Sequence, residues 1–176
     1  GGETLVEVLD AQTLLLEDNR EAARQRYEAM AEEAPTRLLG LRGLYLEAER
    51  EGNEEAGRHY AEEAAKSSPA LPWANEALLR HLADDGDFEG ALGALEKLRS
   101  SGAMARADAE RKRAVLLTGQ GMRSLGGDPD KAAALTKQAL KLAPGLVAAT
   151  LVAAEAQRRG GDIRRAARTL EAAWKT

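Results

Sequence analysis

His59 and His81 are the only two imidazoles of a 176-residue chain that has no cysteine. Without thiolates, neither a disulfide framework nor a cysteine-rich zinc site can form. Each histidine stands without a patterned acid or base partner in sequence, so both read as ordinary surface or groove positions. Haem or metal ligation is the chemical alternative, but no cysteine-proline haem motif accompanies either ring. The adjacent pairs Glu62-Glu63 and Asp84-Asp85 point about 100° apart on a helix and cannot work as one catalytic pair. Gly119-Gln120-Gly121 would need a third glycine where Ser124 stands, and a strand before it, to cradle a dinucleotide. Gly126-Gly127-Asp128-Pro129-Asp130-Lys131 lacks the spacing and the hydroxyl of a phosphate loop. The arginine-rich stretches 106–113 and 158–168 could touch phosphates, yet no aromatic residues are interleaved to stack bases. No enzymatic activity, no cofactor, no metal and no nucleic-acid partner are therefore expected.

What the sequence does contain is a beat. Asp18-Asn19, Gly52-Asn53, Gly86-Asp87, Gly127-Asp128 and Gly161-Asp162 recur at intervals of 34, 34, 41 and 34. Each pair is a turn residue followed by a side chain suited to a helix start. Small residues follow in phase: Ala23, Gly57, Ala91, Ala132 and Ala166, then Ala64, Ala139 and Ala173 seven later, where Met30 and Leu98 depart. Antiparallel helices about 8–10 Å apart need small side chains at their crossings. Pro35, Pro69 and Pro144 close the units. The interval of 41 is 34 plus 7, close to two helical turns, so the insertion keeps one face inward. It falls in an unbroken Ala-, Arg- and Glu-rich stretch, which predicts one long helix over about 105–125.

Composition agrees. Alanine, leucine, glutamate and arginine dominate and aromatics make up 3%, which favours helix over strand. The longest apolar run, 146–154, is about half of a membrane span, so a soluble chain is expected. The net charge of −4 hides an asymmetry. Residues 1–88 carry 20 acids and 9 bases, and residues 89–176 carry 9 acids and 16 bases. Solvated outer helix faces explain this, as would a polar rod whose ends attract different partners or each other.

Helix pairs at a 34-residue period, with a glycine-acid turn, two small-residue crossings and a closing proline, resemble the tetratricopeptide repeat. The resemblance implies an all-α fold, an α-α superhelix or solenoid of five helical hairpins. It is one array over 1–176, with repeats at about 4–37, 38–71, 72–105, 113–146 and 147–176 and inserted turns at 106–112. The helices are expected over about 3–17, 19–33, 37–51, 53–66, 70–84, 87–99, 105–125, 130–142, 146–159 and 163–175. The usual aromatic-leucine-glycine pattern of the first helices is mostly absent.

The segments Arg37-Leu38-Leu39-Gly40-Leu41-Arg42-Gly43-Leu44, Leu71-Pro72-Trp73-Ala74, Arg113-Ala114-Val115-Leu116-Leu117-Thr118 and Lys141-Leu142-Ala143-Pro144-Gly145-Leu146-Val147 look like the HemY-type proteins. Those are bacterial inner-membrane tetratricopeptide proteins linked to haem biosynthesis. That likeness implies the cytoplasm-facing repeat part of a protein whose two N-terminal membrane spans are absent from this sequence.

The function implied is a scaffold that binds a partner protein or peptide in a concave groove; a carrier or sensor of haem or another small ligand is the alternative. In the tetratricopeptide family the first helix of each pair lines that groove. Projected here, it puts Arg42, Leu46 and Glu49 beside Trp73, Glu76, Arg80 and Asp84. Arg42, Leu46 and Glu49 are spaced i, i+4, i+7, and Trp73, Glu76 and Arg80 are spaced i, i+3, i+7, so each trio shares a helical face. Arginine forks suit carboxylates and amide oxygens, and Trp73 suits an apolar anchor. The competing reading has these charges pairing with one another and Trp73 in the core. The first helix is apolar on more than one face and Trp174 ends the last, so self-association through exposed ends is also expected.

Overall fold

The computed structural model describes residues 2–174; Gly1, Lys175 and Thr176 lie outside the described residues. Ten helices run α1 (Gly2–Leu16), α2 (Arg20–Glu32), α3 (Arg37–Glu51), α4 (Glu54–Ser67), α5 (Pro72–Asp84), α6 (Phe88–Ser100), α7 (Arg106–Ser124), α8 (Pro129–Leu142), α9 (Val147–Arg159) and α10 (Ile163–Trp174). Among the described residues there is no strand. The fold is all-α, an array of helical repeats.

The beat in the sequence is a beat of helix caps. Asn19, Asn53, Asp87, Asp128 and Asp162 each accept a hydrogen bond from the backbone N–H three residues on, at 3.4, 3.1, 3.0, 2.9 and 3.0 Å. Each thereby satisfies one donor that a helix start leaves open. At the turn residue before the cap, Gly52 and Gly86 adopt left-handed backbone angles (φ 68° and 74°), which cost glycine nothing. Asp18 takes the same region in the first repeat. Four residues past each cap, Ala23, Gly57, Ala91, Ala132 and Ala166 are all buried.

The second crossing behaves less uniformly. Ala64 and Ala139 are fully buried, but so are Met30 and Leu98 in the equivalent places, so the slot widens in alternate repeats to take a large side chain. Ala173, expected to occupy the same crossing in the last repeat, is exposed instead.

The chain divides into two compact units, Gly1–His81 and Leu82–Thr176, the boundary falling inside α5. In the first, α1 packs on α2, α2 on α3 and α3 on α4. The α2–α3 packing is close: a Cβ on Gly43 would stand 2.3 Å from the Tyr27 ring. In the second, α6 through α10 each pack on the next, and α7 also meets α9. Ala114, Leu117, Ala139 and Ala149 form a buried cluster there, flanked by Leu92, Leu135, Leu140 and Leu146. The seven-residue insertion lengthens α7 to 19 residues. Its added turns carry ion pairs Arg106–Glu110 (2.7 Å) and Arg111–Asp108 (2.5 Å), and Ala109 turns inward.

Among the described residues no helix is long and apolar enough to cross a membrane.

Candidate functional site

In the first unit, α3 and α5 present a shared surface. Pro72 fits the first turn of α5, where its missing N–H costs no hydrogen bond. Asn75 ties the entry to the helix: its Nδ2 donates to the carbonyls of Pro69 (3.0 Å) and Leu71 (2.9 Å), just before Pro72 and Trp73 begin α5. On α3, Arg42, Tyr45, Leu46 and Glu49 follow one another at helical spacing.

These side chains surround a depression of about 250 Å³ lined by Arg42, Tyr45, Leu46, Trp73, Glu76, Ala77 and Arg80. Tyr45 and Trp73 form its apolar wall, with ring centroids 5.4 Å apart and planes tilted by 40°. Leu46 stands 51% exposed beside them, and Trp73 is half-buried rather than core.

The charges divide into two classes. Arg80 is held: its Nη2 donates to Glu49 and, at 2.9 Å, to the Tyr45 hydroxyl. The bond to Glu49 raises the Arg80 guanidinium above its ordinary value, and burial raises the Tyr45 phenol. Arg42 and Glu76 have no hydrogen bond or ion pair among the described residues. The pairing of groove charges with one another is thus realised at Arg80–Glu49 and nowhere else in the set. Glu49 does not line the depression and acts on it through Arg80. Asp84, at the exposed end of α5, does not line it.

Sequence reasoning missed two residues here. Tyr45 lies between Arg42 and Leu46 on the same face and carries no motif. His81 reads as solitary in sequence, and the fold corrects this. It is 4% exposed, its Nδ1 lies 3.0 Å from Oε2 of Glu54, and its Nε2 lies 3.4 Å from Oε1 of Glu49 and 3.2 Å from Nη2 of Arg80. Its partners come from α3 and α4, 32 and 27 residues away in the chain, so no local pattern announces them. His59 is exposed, its ring centroid 5.6 Å from that of Tyr60 and the planes tilted by 60°.

The second unit holds a wider cleft of about 460 Å³, with Lys137, Lys141, Gln157, Arg165 and Thr169 on its walls above Ala133, Ala134 and Ala153. Thr169 donates to Gln157 at 2.8 Å across it.

No family model matches the chain, and no curated protein matches it. Solved structures do. The chain is similar to a crystal structure of MamA protein (17% identity, TM-score 0.57, covering 99% of this chain and 92% of that one). It is similar also to MamA 41-end from Desulfovibrio magneticus RS-1 (16%, 0.53, 99% and 95%). A third is YrrB, described as a TPR protein with an unusual peptide-binding site (16%, 0.56, 95% and 82%). At these identities the likeness is one of fold. The chain has the tetratricopeptide-repeat fold.

Proposed function

We propose that the protein is an interaction scaffold whose first unit binds a peptide segment of a partner protein in the depression between α3 and α5. The observation that carries this reading is the combination of an exposed apolar anchor, Leu46 with the Tyr45–Trp73 wall, and two charges of opposite sign, Arg42 and Glu76, that nothing in the fold uses. Exposed aromatic and arginine side chains around a concavity are what dominates binding energy at protein interfaces. Unpaired Arg42 can donate a two-pronged bond to a carboxylate or to backbone carbonyls, and Glu76 can accept from a base or from peptide N–H groups. Arg80, already neutralised by Glu49, shapes the wall and contributes little free charge. A similar structure, YrrB, is described as having a peptide-binding site, which supports the reading by fold analogy.

The resemblance of the 37–44, 71–74, 113–118 and 141–147 segments to HemY-type proteins extends the proposal. The scaffold then works at the cytoplasmic side of a bacterial inner membrane, held there by N-terminal spans, with partners in haem biosynthesis.

The test is selection of peptides from a random displayed library on the full chain, followed by affinity measurement on Arg42→Glu and Leu46→Asp. Both positions are exposed, so circular dichroism should be unchanged. Binders are expected to lose at least about tenfold on each variant, the range of a single lost interface contact of about 1.4 kcal/mol or more. Binders indifferent to both variants would place recognition elsewhere.

A further inference from the structure

Next to Arg80 of the depression, Glu49, Glu54 and His81 each offer a ligand atom within 4.8 Å of the others. They come from three different helices, α3, α4 and α5, so the fold and not a local motif brings them together. We infer that these three side chains form a site for one divalent ion of the zinc class.

The donor set selects the metal. One imidazole nitrogen and two carboxylates suit zinc and its neighbours in the first transition row, whereas calcium and magnesium prefer oxygen alone. Three protein ligands leave a fourth position for water, the arrangement of an open zinc site. Zinc–ligand bonds of about 2.0–2.1 Å put tetrahedral ligand atoms about 3.3 Å apart. One ring nitrogen can bind the ion: Nδ1 of His81 already stands 3.0 Å from Oε2 of Glu54. Glu49, 3.4 Å from the other ring nitrogen, has its ligand atom within 4.8 Å of the other two and must close in on the ion. Glu54 can adjust freely because its side chain is 75% exposed at the first turn of α4, while the His81 ring is fixed by burial.

The packing makes room for this cluster in one repeat only. At the first helix crossing four repeats have alanine and the second has Gly57. A Cβ there would stand 3.1 Å from Oε1 of Glu49 and 3.5 Å from Nε2 of His81. The space that alanine fills elsewhere is given to the two ligands here.

Arg80 is the resident cation. It holds Glu49 and lies 3.2 Å from Nε2, so an entering ion takes Glu49 from it. This fixes the sign of its effect: removing the Arg80 charge should tighten metal binding, and removing a ligand should weaken it.

The experiment is calorimetric titration of Zn2+ into the full chain after chelator treatment, repeated with Co2+ so that its visible absorption reports the ligand field. One ion per chain is expected. Glu54→Gln should weaken binding by about tenfold or more, Arg80→Gln should strengthen it, and His59→Gln, at the exposed second histidine, should leave it unchanged. His81→Gln should abolish it; should that variant fail to fold by circular dichroism, Glu54→Gln carries the test. Absence of one-equivalent binding, an unchanged Glu54→Gln, or loss of binding in His59→Gln would each overturn the assignment. None of these readouts involves the peptide, so the site stands or falls apart from the groove.

Discussion

Gly40 of α3 approaches Ala31 of α2 so closely that a Cβ on it would stand 2.5 Å from the Ala31 nitrogen and 2.6 Å from the Tyr27 carbonyl oxygen. Both neighbours are backbone and cannot swing aside. Alanine ordinarily favours a helix interior by about 1 kcal/mol over glycine. At this position the overlap should outweigh that gain, and Gly40→Ala should cost about 2–3 kcal/mol by forcing the helices apart. Urea unfolding measures it; a stabilised variant would mean that α2 and α3 are not packed as described.

Ala91 sits at the same kind of crossing and is fully buried. Ala91→Glu adds both excess volume and a charge with no partner, and should lose about 3 kcal/mol or more. Glu89→Ala, two residues away and exposed, should move the melting temperature by no more than a degree or two. Equal melts for the two variants would refute the register of α6.

Asn75 is 1% exposed and ties the 69–71 connection to α5 through two donated hydrogen bonds. Its Oδ1 is buried without a partner, so the residue is present for its donors. Asn75→Ala should cost about 1–3 kcal/mol by removing two part-buried hydrogen bonds. Asn75→Asp should cost more, because it removes the donors and adds a buried charge facing two carbonyl oxygens. Hydrogen exchange at 71–76 should quicken in both.

Hydrogen bonds from Arg158 and then Arg159 hold the Glu155 carboxyl down from its ordinary value of 4.5 to about 2. A depressed acid contributes stability that is complete above its unfolded value and is lost as pH falls through its folded one. The window here is therefore from pH 4.5 down to about 2. The group is on the surface, so the effect on unfolding is small and the titration itself is the readout. A carboxyl carbon resonance for Glu155 should titrate near pH 2, and Arg158→Ala should move the midpoint back up. A midpoint already at the ordinary value in the unmodified chain would mean that the forked contact does not persist in solution.

The helix count, the caps and the crossings were written in the chain because each depends on residues close in sequence. A cap needs its acceptor three residues from the donor, and a crossing needs a small side chain at a fixed phase from the cap. Such rules survive any tertiary arrangement, which is why Asn19, Asn53, Asp87, Asp128 and Asp162 could be found by spacing alone. The long α7 followed for the same reason, since seven residues keep a helical face aligned. Arg42, Leu46, Trp73, Glu76 and Arg80 could be assembled in advance only by borrowing which helix of each pair lines a groove.

Tertiary structure alone decided how those residues use one another. That Arg80 is occupied by Glu49 while Arg42 is not depends on side-chain reach between helices 31 residues apart, where a single rotamer changes the partner. That His81 is buried between Glu49 and Glu54 depends on three helices meeting at Gly57, whose missing side chain reads in sequence as one more small residue. Local periodicity fixes which face a residue is on. Only the packed neighbours fix whether its charge is already satisfied, because Coulomb and hydrogen-bond terms act over a few ångströms in space and carry no trace along the chain.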